Sequence, residues 1–438
     1  MKRRFHLIAL GVAAASALTL VDLRQHTSGI LLWAPKLLFS TTASLLAALG
    51  ALLGVLGLRR RDPWLAGAGL AGAALASRHV ANVTATHRGF EQAFGPNWPA
   101  QIPPQRRPVL LSRRWTPYLA RPTAQVTRDL PYGVHPETGK LLLADLWQPP
   151  AGVASSGLGL IYVHGGAWRM GQKNTGVGWM FSRLASQGHL VMDIDYTLAP
   201  CADVPGMVQD VKRAIIWLRR NGADYGVDGQ RIALMGGSAG GHLALLAAYT
   251  PNEAGLQPDH SAADTAVCGV VSYYGPTDLF AMFQSVEATR ARVARRKRIR
   301  PYGALLEGLI QQIGLVKSGA PVEQATNYIA DLLGVDPALD PDLYRQLSPL
   351  DHVGPHCPPT LLLQGTADIF GMGPSVRRLH QALQAAGAAS VLVEFPGVDH
   401  AFDMLLPQIS PAAQAAFYDV ERFLALLNTE ASKILETV

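Results

Sequence analysis

A serine set between glycines constrains this chain more than any other feature. Residues 236 to 240 read Gly-Gly-Ser-Ala-Gly. The apolar run Ile232–Met235 before them has the length and composition of a strand, and the Ala- and Leu-rich run His242–Ala248 after them is typical of a buried helix. A sharp turn between them strains the serine backbone and needs small neighbours, because a Cβ there would collide with the adjoining elements. The pattern predicts that Ser238 is a nucleophile raised at the end of a strand, and the alternative is a glycine-rich turn with an incidental serine.

A second glycine-rich stretch follows another predicted strand. The run Leu158–Val163 is apolar, and His164-Gly-Gly-Ala-Trp168 comes directly after it. Glycines at the end of a strand leave backbone N–H groups unshielded, so these groups can face a negatively charged oxygen that develops near Ser238. The alternative is a plain Gly-Gly turn.

An acid and a histidine follow two later strands. One predicted strand leads to Asp368, and the next leads to His400. A serine hydroxyl is a poor nucleophile at neutral pH, so it needs a base, and the base needs an acid that fixes its tautomer. The order Ser238, Asp368, His400 predicts that these three are the catalytic residues. Asp399 is the weaker candidate for the acid, because a chain neighbour rarely orients an imidazole well.

Five motifs together resemble those of a known family. They are His164-Gly-Gly-Ala-Trp168, Asp195-Tyr-Thr-Leu-Ala-Pro200, Gly236-Gly-Ser-Ala-Gly-Gly241, Gly365-Thr-Ala-Asp368 and Asp399-His-Ala-Phe402. Over residues 125–427 the chain resembles α/β-hydrolases of the carboxylesterase and lipase group related to hormone-sensitive lipase. The His-Gly-Gly-Ala-Trp form is closest to that of membrane-linked bacterial carboxylesterases and kynurenine formamidases.

The resemblance implies roles for residues around the serine. The backbone N–H groups of Gly165, Gly166 and Ala239 are expected to form the oxyanion hole, the set of donors that stabilises a tetrahedral intermediate. Trp168 is a candidate for the wall of the substrate pocket, and a place in the core is the alternative. The sequence has no P-loop and no H-E-x-x-H motif, so no cofactor, no metal and no nucleic-acid partner is expected.

Strand-like and helix-like stretches alternate from residue 125 onward. The predicted strands are 141–147, 158–163, 190–195, 232–235, 267–274, 360–363 and 390–395. Several are continuous apolar runs, as parallel strands covered on both faces should be. The predicted class is α/β, with a mostly parallel central sheet and helices on both faces, and the resemblance implies specifically the α/β-hydrolase fold. An unusually long connection interrupts the pattern and predicts a helical cap insertion at about 279–347.

Three apolar stretches precede this pattern, at 5–21, 37–58 and 64–77. The middle one has 22 residues and no charge, which is enough to span a bilayer, since a span needs about 20 residues. The third is short and rich in glycine. It is either a further span or a helix that lies at the membrane interface.

The third stretch also carries small residues that suit helix packing in lipid, namely Gly67, Gly69 and Gly72. We therefore expect N-terminal transmembrane helices, two to three in number, before the catalytic domain. The expected regions are a membrane region at 1–80, an Arg- and Pro-rich connector at 81–124 and an α/β-hydrolase domain at 125–438.

Composition and charge favour a membrane location. Charged residues make up 16% of the chain, below the average of about 25% for soluble domains, and the net charge is +6. The segment 290–300 has seven basic residues and no acid, so it is either a solvated basic face or a contact for anionic lipid headgroups. Basic residues at 2–4 and 59–61 favour the cytoplasm. We expect a multi-pass protein of the bacterial inner membrane whose catalytic domain lies outside the cytoplasm.

The sequence favours a membrane-anchored serine carboxylesterase or lipase-like hydrolase. Its expected partners are a small-molecule or lipid ester as substrate and the membrane lipids around it. One alternative is an arylformamidase that uses the same three residues, although its water-soluble substrate suits a membrane anchor less well. The other is a catalytically dead scaffold, which we would expect to lack Ser238, His400 or the glycines.

Overall fold

An eight-stranded sheet runs through the part of the chain that the computed structural model describes, residues 2–25, 29–258, 263–295 and 327–427. The strands are β1 (Gln125–Val134), β2 (Leu141–Gln148), β3 (Gly157–Val163), β4 (Leu190–Ile194), β5 (Val227–Gly237), β6 (Gly269–Tyr273), β7 (Thr360–Gly365) and β8 (Ser390–Phe395). Their order in the sheet is β1-β2-β4-β3-β5-β6-β7-β8. Strand β2 is antiparallel to both of its neighbours, and all other pairs are parallel. The prediction of a mostly parallel sheet is confirmed.

Helices cover both faces of this sheet. The helices are α1 (Lys2–Leu18), α2 (Gly29–Thr41), α3 (Ala43–Arg59), α4 (Pro63–Val83), α5 (Gly89–Phe94), α6 (Trp98–Gln101), α7 (Gly178–Ser186), α8 (Val204–Asn221), α9 (Ala239–Tyr249), α10 (Leu279–Arg295), α11 (Tyr328–Leu333), α12 (Pro341–Gln346), α13 (Gly373–Ala385) and α14 (Pro411–Leu426). Apolar residues of α8, α9 and α13 share one buried core with the sheet, and those of α7 and α14 share the other.

Each of the seven predicted strands overlaps one of the strands β2 to β8. Strand β1 was not predicted. It lies at the edge of the sheet, contains Pro131, and keeps most of its side chains at least partly exposed. An edge strand of this kind tolerates proline and lacks the continuous apolar run that marks a central strand.

The parallel arrangement brings four chain segments to one edge of the sheet. Strands β3 and β5 are paired in parallel up to Val163 and Gly236, and β7 and β8 up to Gly365 and Phe395. The carboxyl ends of these strands therefore meet at the same edge, which is where open α/β sheets bind ligands. Four of the five motifs lie at or just after these four ends, and the fifth, at 195–200, follows β4.

The N-terminal helices α1, α3 and α4 pack together as a bundle. A Cβ on Gly69 of α4 would overlap the backbone of Gly54 of α3, and a Cβ on Gly72 would lie 2.9 Å from a methyl group of Val12 of α1. Two of the three predicted packing glycines thus lie at helix contacts, whereas a Cβ on Gly67 would meet nothing within 4 Å. Close backbone approach through small residues holds the bundle together.

The predicted continuous span at 37–58 is wrong in one respect, because the helix breaks at Thr42. The N–H and hydroxyl groups of Thr42 both donate to the carbonyl of Leu38, and α3 then leaves at an angle of 72° to α2. A threonine that bonds back to the preceding turn favours such a bend. Within the described ranges, no single helix has both the length and the apolarity to cross a membrane. The two helical segments 31–41 and 43–59, which are bent relative to each other, have that length and apolarity only when taken together.

The connector at 81–124 lies against the catalytic part of the chain. The ring of Phe90 stacks on Trp98 at 4.9 Å, and Arg114 donates two hydrogen bonds to the buried carboxylate of Asp419 in α14, at 2.6 and 2.8 Å. Helices α10, α11 and α12 belong to the predicted cap. Residues 296–326 of the cap and the side chains of the basic segment 290–300 lie outside the described residues.

Replacing Gly67 or Gly69 of α4 by alanine should have opposite effects on the stability of the bundle. Gly69→Ala should lower the free energy of unfolding of the bundle by about 1–3 kcal/mol, because its Cβ overlaps α3. Gly67→Ala, the matched control on the same helix, should raise it by up to about 1 kcal/mol, because alanine favours the helix and nothing obstructs the methyl group. Thermal unfolding of the purified variants measures both, and equal shifts would contradict the packing described.

Candidate active site

The turn between β5 and α9 holds Ser238 at φ 55°, a left-handed conformation that residues with a side chain rarely adopt. Its N–H donates to the carbonyl of Tyr273 on β6 at 2.9 Å, which fixes the turn to the neighbouring strand. A Cβ on Gly240 would overlap the carbonyl oxygens of Val163 and His164. Glycine is therefore required where α9 begins against the end of β3, and the strain is concentrated at the serine.

Ser238 begins a continuous series of hydrogen bonds. Its Oγ lies 3.0 Å from His400 Nε2, and His400 Nδ1 lies 2.9 Å from Asp368 Oδ2. A carboxylate only accepts hydrogen bonds, so Nδ1 carries the proton and Nε2 presents its lone pair to the serine hydroxyl. The structure thus brings together the three residues that the sequence singled out.

The carboxylate and the imidazole of this series are both buried and held in place. Asp368 and His400 are 1% and 5% exposed. The carboxylate of Asp368 also accepts from the side chain of Gln364 at 3.0 Å and from the N–H of Phe370 at 2.9 Å. The His400 ring lies 4.4 Å from the Tyr274 ring and 4.7 Å from the Phe370 ring. These contacts leave the imidazole little freedom to rotate away from the serine.

The glycine-rich loop after β3 lies beside the serine. A Cβ on Gly165 would be only 3.2 Å from the Cβ of Ser238, and Gly166 has a φ of 127° that favours glycine. In the described part of the chain, the N–H groups of Gly165, Gly166 and Ala239 donate no hydrogen bond. Three backbone donors are therefore available in the two turns, and those of Gly165 and Ala239 belong to residues that adjoin Ser238.

Two histidines and a tryptophan near this loop support it from within the core. His164 Nδ1 lies 2.7 Å from the carbonyl of Gly165, and its ring stacks on Tyr196. Trp168 is 1% exposed, and its indole N–H donates to His242 Nδ1 at 3.2 Å. The structure places Trp168 in the core beneath the loop, which is the alternative that the sequence left open for it.

His242 is held as a neutral ring. Its Nδ1 accepts from Trp168 and its Nε2 lies 2.8 Å from the carbonyl of Leu347. Burial lowers the pKa of His242 to about 4. A second proton on the ring would point at the indole N–H, so His242 stays uncharged at neutral pH and has a packing role.

Asp399 does not contact the imidazole of His400 through its carboxylate. Its Oδ1 accepts from the N–H groups of Ile369 and His400, each at 2.9 Å, and its Oδ2 lies 3.3 Å from Lys36 Nζ of α2. Sequence reasoning missed Lys36. The signal was a lone lysine within an apolar helix, since a charge in such surroundings needs a partner.

The described part of the cap borders the site on two sides. Ser285 of α10 donates to the carbonyl of Phe370 at 3.3 Å, next to the acid. Asp331 of α11 pairs with Arg169, which follows the glycine-rich loop, at 2.7 Å. Among the described residues, no group of three or more His, Cys, Asp or Glu is placed to hold a metal ion.

The sheet order and the Ser-Asp-His sequence at its carboxyl edge define the class of α/β-hydrolases. The family model described as BD-FAE matches residues 144–383, and that of the dienelactone hydrolase family matches residues 348–431. The chain belongs to the α/β-hydrolase carboxylesterase family related to hormone-sensitive lipase.

Two relatives from Mycobacterium tuberculosis agree with this assignment. Esterase LipQ of Mycobacterium tuberculosis is 33% identical over 73% of this chain and 69% of its own length. The probable carboxylic ester hydrolase LipM of the same organism is 32% identical over 68% of this chain and 60% of its own length. The apo form of Thermogutta terrifontis esterase 2 is a similar solved structure, with 20% identity, a TM-score of 0.49, and coverage of 69% of this chain and 93% of that one.

The lowered pKa of His242 predicts a pH dependence of stability. In the unfolded chain a histidine titrates near 6.5. Between about pH 6.5 and pH 4 the unfolded state therefore binds a proton at His242 and the folded state does not. The free energy of unfolding should therefore fall as the pH drops from about 6.5 to 4, with up to about 3 kcal/mol due to this residue.

Denaturant unfolding at pH 7 and pH 5 measures the effect. His242→Gln should lose less stability over this interval than the wild type, whereas the control His352→Gln should follow the wild type. A His242→Gln variant with an unchanged pH dependence would show that the ring is not the group that titrates.

Proposed function

We propose that this chain is a membrane-associated serine carboxylesterase. One observation carries the catalytic part of the proposal: a hydrogen-bonded series runs from Asp368 through His400 to Ser238, and the described chain leaves backbone N–H groups free beside that serine. Its family makes the chain an ester hydrolase, and the geometry supports a role for each residue. The chemistry needs no group other than water and the ester.

In the first half of the proposed reaction, Ser238 Oγ attacks the carbonyl carbon of the ester. His400 Nε2 takes the hydroxyl proton as the new O–C bond forms, and Asp368 stabilises the imidazolium and keeps it oriented. The carbonyl oxygen becomes an oxyanion, which accepts from the N–H groups of Gly165, Gly166 and Ala239. Collapse of this intermediate breaks the ester C–O bond, and His400 gives its proton to the departing alcohol.

The second half repeats these steps with water. His400 takes a proton from a water molecule that attacks the acyl-enzyme, and the same N–H groups hold the second oxyanion. When that intermediate collapses, the acid is released and His400 returns the proton to Ser238 Oγ. The rings of Tyr274 and Phe370 beside His400 support this double role, because they hold the imidazole in one place.

The membrane part of the proposal concerns the bundle of α1, α3 and α4. Large apolar side chains of all three helices are exposed, and soluble monomers seldom expose large apolar patches. The exposed residues are Leu7, Ile8, Leu10, Leu45, Leu49, Leu52, Val55, Leu58, Trp64 and Leu70, at 40–79% exposure. We propose that this surface contacts the acyl chains of lipids.

The two ends of the bundle differ, and the difference supports an orientation. His6 pairs with Asp62 at 2.7 Å, and Arg60 lies over the ring of Phe5, so the basic clusters at 2–4 and 59–61 are at one end. Helix α2 and the catalytic domain lie at the other end. Basic residues favour the cytoplasm, so the proposed catalytic domain lies outside the cytoplasmic face of a bacterial inner membrane.

Ser238→Ala tests the catalytic proposal. The variant should lose at least about 1,000-fold in kcat toward p-nitrophenyl esters, since the nucleophile is absent, and it should keep the wild-type circular dichroism spectrum. Ser112→Ala, which replaces an exposed serine of the connector, is the matched control. A fluorophosphonate probe should label the wild type and the control. Labelling that persists in Ser238→Ala would assign the nucleophile elsewhere.

Fractionation and a reporter on the full chain test the membrane proposal. The protein should stay in the membrane pellet after carbonate and high-salt washes and enter solution with detergent, because apolar contacts hold it. Alkaline phosphatase at the C-terminus should be active, and a fluorescent protein there should be dark. Release by salt alone would reject the lipid contact, and a bright fluorescent fusion would place the domain in the cytoplasm.

A further inference from the structure

Helix α2 leaves the N-terminal bundle and lies against the catalytic residues. The ring of Trp33 meets that of Phe370 edge-on at 6.3 Å, and Phe370 in turn meets the ring of His400 edge-on at 4.7 Å. One turn further along α2, Lys36 Nζ donates to Asp399 Oδ2 at 3.3 Å. The side chains of this ion pair are 0% and 1% exposed, so neither charge is hydrated.

The carboxylate of Asp399 joins two loops. Its Oδ1 accepts from the N–H of Ile369, the residue after the acid Asp368, and from the N–H of His400. One oxygen thus ties the loop that carries the acid to the loop that carries the base, and the other oxygen faces Lys36. The 2.9 Å contact between Asp368 and His400 spans the same two loops.

We propose that Asp399 is a positioning residue that fixes Asp368 against His400, and that Lys36 of the N-terminal helix α2 holds Asp399 in that role. The inference rests on the proposed function and extends it, because a residue of the N-terminal helix α2 then helps to position the catalytic residues of the esterase. It also gives Asp399 a function distinct from that of the triad acid.

The ion pair matters because the surroundings of Asp399 disfavour its charge. Burial and the nearby carboxylate of Asp368 raise the pKa of Asp399, and Lys36 opposes this rise. The other charged or titratable groups that face the pair are His400, on the adjoining backbone, His79 of α4, and Arg24 with its partner Asp22, from the segment before α2. Without Lys36, Asp399 would take up a proton more readily and bind the two N–H groups less strongly.

Small displacements of the two loops are enough to slow catalysis. A misplacement of about 1 Å costs on the order of 100-fold in rate. Since Asp399 and Lys36 lie behind His400, away from Ser238, their loss should act on the chemical step and leave substrate binding nearly unchanged. A split between kcat and KM therefore separates positioning from a general loss of structure.

The test uses the full chain in detergent, with p-nitrophenyl acetate as substrate. The variants are Lys36→Met, Asp399→Asn and the double variant, with Lys140→Met, on an exposed lysine of the β1–β2 hairpin, as the matched control. Lys36→Met should lower kcat by about 10- to 100-fold with KM within about twofold of the wild type. The double variant should lose less than the product of the two single losses, because the residues act as one pair.

The pH profile gives a second signature, with opposite signs for the two single variants. In Lys36→Met the acidic limb of kcat/KM should move to higher pH. Asp399 has then lost the cation that favours its charged form, so it must ionise at a higher pH before it can hold the two loops. In Asp399→Asn this carboxylate no longer titrates, and the uncompensated charge of Lys36 disfavours a further positive charge nearby, so the limb should move to lower pH.

Several outcomes would overturn the proposal. One is a Lys36→Met variant whose kcat and pH profile equal those of Lys140→Met. Another is a double variant whose loss in kcat equals the product of the two single losses. The third is a shift of the acidic limb of kcat/KM in the same direction in both single variants. If a single variant fails to fold, the double variant, which buries no unpaired charge, decides instead: a wild-type kcat rejects the positioning role, and a lowered kcat at unchanged KM supports it.

Failure of the proposed function would look different. A wild type that cleaves no ester refutes the esterase, and the role of the pair is then read from the rate at which a fluorophosphonate labels Ser238. That reaction needs the activated serine and no ester turnover. Equal labelling rates in the wild type and Lys36→Met would reject the pair on this measure too.

Discussion

The close approach of two backbones at the end of β3 is the constraint on which the site depends. Helix α9 begins so near the carbonyls of Val163 and His164 that only glycine fits at position 240. This contact forces Ser238 into its left-handed conformation and sets the serine beside the N–H groups of the glycine-rich loop. Because β7 and β8 end at the same edge, the acid and the base need only short loops to reach the serine.

The sequence was sufficient for the parts of the protein that local pattern determines. Mostly apolar runs marked the seven strands β2 to β8, and the residues that follow four of them include Ser238, Asp368 and His400. Strand β1 escaped prediction because its pairing, and not its composition, makes it a strand. The break at Thr42 likewise depends on one hydroxyl in an otherwise apolar stretch.

The role of Asp399 could not be predicted for a different reason. Its partners are a backbone N–H on another loop and a lysine 363 residues away in sequence. No local pattern encodes a contact of that range. A charged residue inside an apolar helix was the only hint, and it pointed to the need for a partner without identifying it. Local sequence patterns predict strands, helices and turns, whereas a contact between distant segments is identified only in the folded structure.

The ion pair between Lys36 and Asp399 also bears on how the protein is made. Synthesis proceeds from the N-terminus, and the first domains fold before the last residues exist. Helix α2 is therefore complete long before Asp399 leaves the ribosome, and Lys36 must remain without this partner while the intervening chain is produced. The docking of α2 on the catalytic domain is consequently a closing event of biogenesis, when the last strand of the sheet and the first helices of the chain finally meet.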